Sequence, residues 1–203
     1  MADEEGASPR ELVVEACRRD QPHLLEQVLA SMEEKSNEEV AQFFNSVTDP
    51  LGNYALHICA IYGSCTWIDR FLPSTKLPRT CPFLLKEPRT NGILATDDVM
   101  DSLFDIQYFE CDPKTRMDDD TPLHIAVRYA NDKDRELGTE MVKMMCEAGC
   151  DPRVRNKHNQ KPVELVFNND EIKQALQQAE YIMAEGMQPQ GDDSDHGSAS
   201  GSE

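Results

Sequence analysis

Apolar residues in this chain recur at helical spacing in separated blocks. Near the start, Ala16-Cys17, Leu24-Leu25 and Val28-Leu29 keep the three-to-four-residue period of amphipathic helices. Later blocks run through Leu56-His57-Ile58, Trp67-Ile68 with Phe71-Leu72, Leu123-His124-Ile125, and Met141-Val142 with Met144-Met145-Cys146. A last block holds Val163, Leu165, Val166, Ile172 and Leu176. The segment Asn37-Glu-Glu-Val-Ala-Gln-Phe-Phe44 extends the first helix pair.

The blocks repeat one another. Leu56-His57-Ile58 falls on Leu123-His124-Ile125, Cys59-Ala60 on Ala126-Val127, and Tyr62 on Tyr129. Glu-Ala-Gly-Cys-Asp151 closes the later copy, and weaker copies begin near Glu11-Leu12 and Lys161-Pro162. The spacings between equivalent positions (Glu11, Tyr54, Thr121, Lys161) exceed one common period by unequal amounts, which locates added chain. The last surplus is expected to lengthen the turn Asn131–Gly138. The largest surplus follows Leu72. Pro73, Pro78, Pro82 and Pro88 in it oppose helix interiors, while a short helix is expected after Thr96 or Asp97, carrying Val99, Met100, Leu103 and Phe104.

The stretch Thr121-Pro122-Leu123-His124-Ile125-Ala126 resembles the T-P-L-H-x-A signature of the ankyrin repeat. The resemblance implies an all-α ankyrin-repeat solenoid of about four helix-pair repeats, near residues 9–45, 49–72, 118–151 and 153–179. A long insertion, 73–117, would separate the second and third. Residues 1–8 are expected to be a flexible N-terminus, and 181–203 an acidic disordered tail. The same resemblance makes His57 and His124 braces for an adjoining hairpin, with Thr121 a helix N-cap and Pro122 the first helical residue.

It also implies a concave groove lined by the inner helices and hairpin tips. Ile58, Ile61 and Tyr62 in one unit and Ile125, Arg128 and Tyr129 in the next would form a partly aromatic stripe for a partner. The alternative is that the insertion folds over the stripe and makes it core. Asp118, Asp119 and Asp120 are expected to project from one tip, and Arg153, Arg155, Lys157 and His158 to sit at the following one.

Charge sharpens this picture. The net charge is −18, concentrated in residues 1–50, 97–120 and 180–203. Direct binding to nucleic-acid phosphates runs on clustered Lys and Arg and is not expected here; a charged partner should be basic. The start MADEEGASPRE has neither region of a secretory leader, and no apolar run approaches the length of a membrane span. Seven cysteines without a C-x-x-C pair read as reduced thiols, so the chain is expected in the cytosol or nucleus, as a monomer.

Candidate chemistry is sparse. Cys146 and Cys150 stand four apart, but no four ligands show zinc-site spacing, and no nucleophile elbow, P-loop, H-E-x-x-H or dinucleotide fingerprint occurs. No metal, cofactor or catalytic residue is expected. The functional expectation is a non-enzymatic protein-binding module. One form is an escort for a basic partner, similar to small fungal acidic ankyrin chaperones of a ribosomal protein. Another is an adaptor or assembly factor for a folded protein such as a proteasome subunit or transcription factor. A remote third is an enzyme using Cys81 as nucleophile.

Overall fold

A computed structural model describes residues 6–65 and 98–185. Within them the chain forms α1 (Pro9–Arg19), α2 (Pro22–Ala30), α3 (Asn37–Ser46), α4 (Ala55–Tyr62), α5 (Val99–Phe104), α6 (Pro122–Asp132), α7 (Arg135–Glu147), a 3₁₀ turn (Pro162–Leu165) and α8 (Asp170–Glu185). Among the described residues there is no strand, only one isolated antiparallel bridge, Thr48 to Tyr54. No helix there is long and apolar enough to cross a membrane.

The helices begin where short polar side chains can take up orphan backbone N–H groups. Ser8 and Glu11 close a reciprocal capping box on α1, with Ser8 N donating to the Glu11 carboxylate at 2.8 Å. Ser36 and Glu39 do the same for α3. Aligning the units by these caps sets Ser8-Pro9-Arg10-Glu11 on Thr121-Pro122-Leu123-His124. The first unit therefore starts three residues earlier than the expected Glu11-Leu12. Its signal is a Ser-Pro pair followed by Glu at the third helical position.

Inner helices α1, α4 and α6 and the 3₁₀ turn pack in sequence, while α2, α7 and α8 form the outer partners of their units. The unit opened by α4 is completed by α5, which packs on α4, α1 and α2. Asp98 caps α5, its carboxylate accepting from Asp101 N at 2.8 Å, and Val99, Met100 and Leu103 are fully buried. The expected insertion bounds 73–117 are thus corrected: residues 98–117 belong to the repeat framework. The Trp67–Leu72 segment, expected to supply the second helix of this unit, lies outside the described residues, as does most of the proline-rich stretch. The added chain falls inside the second unit, between its two helices, rather than between units.

Two further expectations change. The turn Asn131–Gly138 is not lengthened; α6 ends at Asp132 and α7 starts at Arg135, so the surplus extends both helices. Gly138 permits this, because a methyl there would overlap Ala130 across the tight α6–α7 contact. The expected tail boundary at 181 also shifts, since α8 continues through Glu185.

Two histidines tie the units together. The His57 ring accepts from Tyr54 N at its Nδ1 (3.2 Å) and donates from Nε2 to the Asp120 carbonyl of the next unit (3.0 Å). His124 repeats the arrangement, with Thr121 N at 3.2 Å and the Gln160 carbonyl at 2.9 Å. Both rings are fully buried side chains or nearly so, and this bonding requires the neutral, Nε2-protonated tautomer.

Two outcomes are expected. Leu103→Ala should cost about 3 kcal/mol in urea unfolding, as removal of a fully buried core leucine does. For His57, burial depresses the pKa to about 4 from 6.5. The folded chain then binds this proton less readily than the unfolded one, so stability is full above pH 6.5 and falls as the pH drops toward 4. Buried Asp98 and half-buried Asp112, each raised to about 6, act in the opposite direction over part of that window. Comparison with His57→Asn cancels them: wild type should lose about 3 kcal/mol relative to the variant between pH 7 and pH 4.

Candidate docking surface

Three hairpin tips precede α4, α6 and the 3₁₀ turn, and each is closed by a side chain that satisfies the turn's backbone. At the first, the Asp49 carboxylate accepts from Leu51 N and Asn53 N, both at 2.9 Å. At the third, the Asn156 carbonyl oxygen accepts from His158 N and Gln160 N, both at 3.0 Å. The middle tip uses Thr115, whose hydroxyl accepts from Asp120 N at 3.0 Å. It holds one more residue, which the left-handed backbone of Asp119 (φ 54°) accommodates.

The tips lie edge to edge. Gly52 (φ 85°) sits against the Arg116 side chain, and Lys157 N donates to the Asp118 carbonyl at 2.9 Å. This makes one continuous ridge. Along it the second residue after each closing side chain points outward: Leu51 is 73% exposed and Met117 70%, with His158 in the third place. Such apolar exposure, covered by no described element, makes the ridge a candidate contact surface. Sequence reading missed Leu51 and Met117. The signal was an apolar residue two places beyond a turn-closing Asp or Thr.

The expected aspartate triplet divides. Asp118 and Asp119 are exposed on the ridge, but Asp120 is buried. Its carboxylate accepts from Asn156 Nδ2 at 2.8 Å and pairs with Arg128 at 3.2 Å, and its carbonyl receives His57. Asp120 is a structural hub between units, not a projecting charge. Of the basic residues expected at the last tip, Arg153 is committed to Asp151 and Arg155 to Asn159 O and Glu164.

The expected stripe also divides. Ile58 is fully buried in the hydrophobic core, so it cannot meet a partner. Ile61 and Ile125 are half-buried. Tyr62 is 51% exposed, with the Arg18 guanidinium 5.8 Å over its ring, and Arg128 is exposed beside Asp120. Tyr129 is half-buried against Gly63, where a methyl would overlap its hydroxyl, and burial pushes its phenol up. Lys133 lies 5.1 Å over the Tyr129 ring and donates to the Ile61 carbonyl at 2.7 Å. The part of the expected stripe that keeps exposed surface therefore comprises Ile61, Tyr62, Ile125 and Arg128, with Tyr129 cementing α4 to α6.

Among the described residues no group of three His, Cys, Asp or Glu side chains is arranged to hold a metal ion. Their buried side-chain polar atoms all have hydrogen-bond partners. Helix pairs stacked through a histidine-braced hairpin define the ankyrin class, in which chemistry is typically absent. A family profile described as Ankyrin repeat matches residues 118–157. The chain is similar to Ankyrin repeat-containing protein YGL242C of Saccharomyces cerevisiae, 36% identical over 181 residues, covering 88% of this chain and 82% of the yeast protein. The chain belongs to the ankyrin-repeat family. Ankyrin repeats mediate protein–protein interaction.

The two tyrosines should separate in a stability assay. Tyr62→Ala is expected to change unfolding free energy by no more than about 0.5 kcal/mol. Tyr129→Ala should cost about 2 kcal/mol through lost packing over Gly63.

Proposed function

We propose that this chain is a non-catalytic binding protein that receives a Lys/Arg-rich polypeptide along the hairpin ridge and the adjoining inner wall, as an escort or chaperone for a basic protein such as a ribosomal one. The observation that carries the reading is the ridge itself. Leu51 and Met117 stand exposed on tips locked rigidly to one another, with Asp118 and Asp119 beside them. Apolar anchors supply affinity on desolvation, and Tyr62 and Ile61 extend the anchor set along α4. The net charge of −18 supplies long-range attraction to a cationic chain, which acts mainly on the association rate. Arg128 does not oppose this strongly, because its charge is balanced by Asp120.

A second reading has support in the same geometry. Two rigid, protruding apolar side chains suit pockets on a folded protein, as in an adaptor or assembly factor. Both readings place the protein in the cytosol or nucleus as a monomer, and neither assigns it catalysis.

The test is equilibrium and stopped-flow binding of the full chain to a purified basic ribosomal protein and to an unstructured Lys/Arg-rich peptide. Replacing Leu51 and Met117 together by Ser should weaken binding at least about tenfold without lowering the thermal midpoint. Replacing Asp118 and Asp119 by Asn should slow association and flatten its salt dependence. Binding that ignores salt and both double variants would remove the proposal. Loss only with the folded partner would favour the adaptor.

A further inference from the structure

Unit stacking brings two pairs of thiols together. Cys17 of α1 neighbours Cys59 of α4 in the core, and Cys111 neighbours Cys150, whose thiol donates to the Cys111 carbonyl oxygen. The second pair arises from true repetition. Cys111-Asp112-Pro113-Lys114 and Cys150-Asp151-Pro152-Arg153 occupy the same place in consecutive units, each leading into a hairpin. Their register is pinned: the Asp112 carboxylate accepts from Asp151 N at 2.9 and 3.1 Å, and Cys150 Sγ lies 3.6 Å from the Cys111 carbonyl oxygen. All four residues carry free thiols.

The pairs differ in access. Cys17 and Cys59 are both completely buried. Cys111 is half-buried while Cys150 lies beneath it in the core. The Cys150 thiol donates to the Cys111 carbonyl oxygen, and its proximity to the Cys111 sulfur lowers the Cys111 pKa against the opposing effect of burial. Cys146, one helical turn before Cys150, is pushed up to about 12 by burial and is the poorer nucleophile. A half-buried cysteine whose backbone carbonyl receives a buried thiol from the neighbouring unit has the layout of a peroxidatic and a resolving cysteine.

We infer that Cys111 and Cys150 form a hydroperoxide-responsive dithiol that closes a reversible disulfide between the third and fourth units. In the first step the Cys111 thiolate attacks one oxygen of the hydroperoxide. The O–O bond breaks, the other oxygen leaves as the alcohol (or water) with a proton, and Cys111 becomes a sulfenic acid. The Cys150 sulfur then attacks the Cys111 sulfur. The S–O bond breaks, and the departing hydroxide takes up the Cys150 thiol proton to leave as water. Two thiols lose two electrons to the peroxide, and one S–S bond is gained. The bond would fasten together the bases of two adjacent hairpins, stiffening the ridge that Met117 and Asp118 occupy.

The experiment uses the full reduced chain exposed to a small excess of hydrogen peroxide, then alkylated and digested without reductant. The expected product is a peptide pair joined through Cys111 and Cys150, lighter by two hydrogens and restored by dithiothreitol, with Cys17 and Cys59 still reduced. The oxidised protein should melt about 5 °C higher. In Cys150→Ser, Cys111 should advance to sulfinic acid, a readout that does not depend on the variant's stability. The inference is overturned if wild-type Cys111 becomes sulfinic acid while Cys150 stays free. It is equally overturned if Cys111 bridges to Cys81 or Cys146, or if both thiols survive peroxide unmodified.

Discussion

The structure depends on one interaction, the hydrogen bond from a buried imidazole to a backbone carbonyl of the next hairpin. A stack of short helix pairs has no long-range sheet or coiled coil to set its spacing, so something must fix each unit against its neighbour. Imidazole suits the task because it places an acceptor and a donor on opposite sides of one small rigid ring. Nδ1 accepts the N-cap amide of its own helix, and Nε2 donates to Asp120 or Gln160 across the unit boundary. Burial keeps the ring neutral, which preserves the acceptor. Protonation would set an N–H against an N–H and break the inner half of the bridge.

The ends of the stack obey the same logic with a different residue. At the third helical position, where the central units have His57 and His124, the first has Glu11 and the last Glu164. A carboxylate can take the inward bond: the Ser8 amide donates to Glu11 at 2.8 Å and the Lys161 amide to Glu164 at 3.1 Å. It has no proton to offer outward, so it cannot bridge to a following carbonyl. At the last unit this ends the series, and Glu164 instead meets Arg155. At the first unit, contact with the second is carried by α1 on α4 and by α3, whose Asn45 clamps the Tyr108 carbonyl and the Glu110 amide of the chain entering the middle hairpin.

How much of this was legible in the sequence follows from the range of the signals. Leu-His-Ile occurs twice with its neighbours intact, so α4, α6 and the histidine braces could be read directly. The short helix Val99–Phe104 was read as well, but not its place as the second helix of the α4 unit. It is six residues long and lies beyond a proline-rich stretch, so the local apolar pairs at Trp67–Leu72 competed for its place. Repetition of Cys-Asp-Pro followed by a basic residue carried the missing register. The site was less legible than the fold, because exposure at a fixed repeat position depends on neighbours. Ile58 and Ile125 are equivalent by alignment, yet one is fully buried and the other is not. Asp120 looked like its two exposed neighbours until the hairpin turned it inward.

Hub and ridge are consequently one mechanical object. Asp120 receives His57 through its carbonyl and Asn156 and Arg128 through its carboxylate, and its amide donates to the Thr115 hydroxyl, so it joins the middle tip to the units on either side. Leu51 and Met117 are then displayed from tips whose separation is set by the His57–Asp120 bridge and by Gly52 against the Arg116 side chain. Preorganisation of that kind matters for affinity, since the ordering cost on binding has already been met by folding. An acidic chain of modest core achieves a rigid apolar edge this way, with the charge left free to govern encounter. It follows that disturbing the histidine bridge should loosen the contact surface even though neither imidazole can touch a partner.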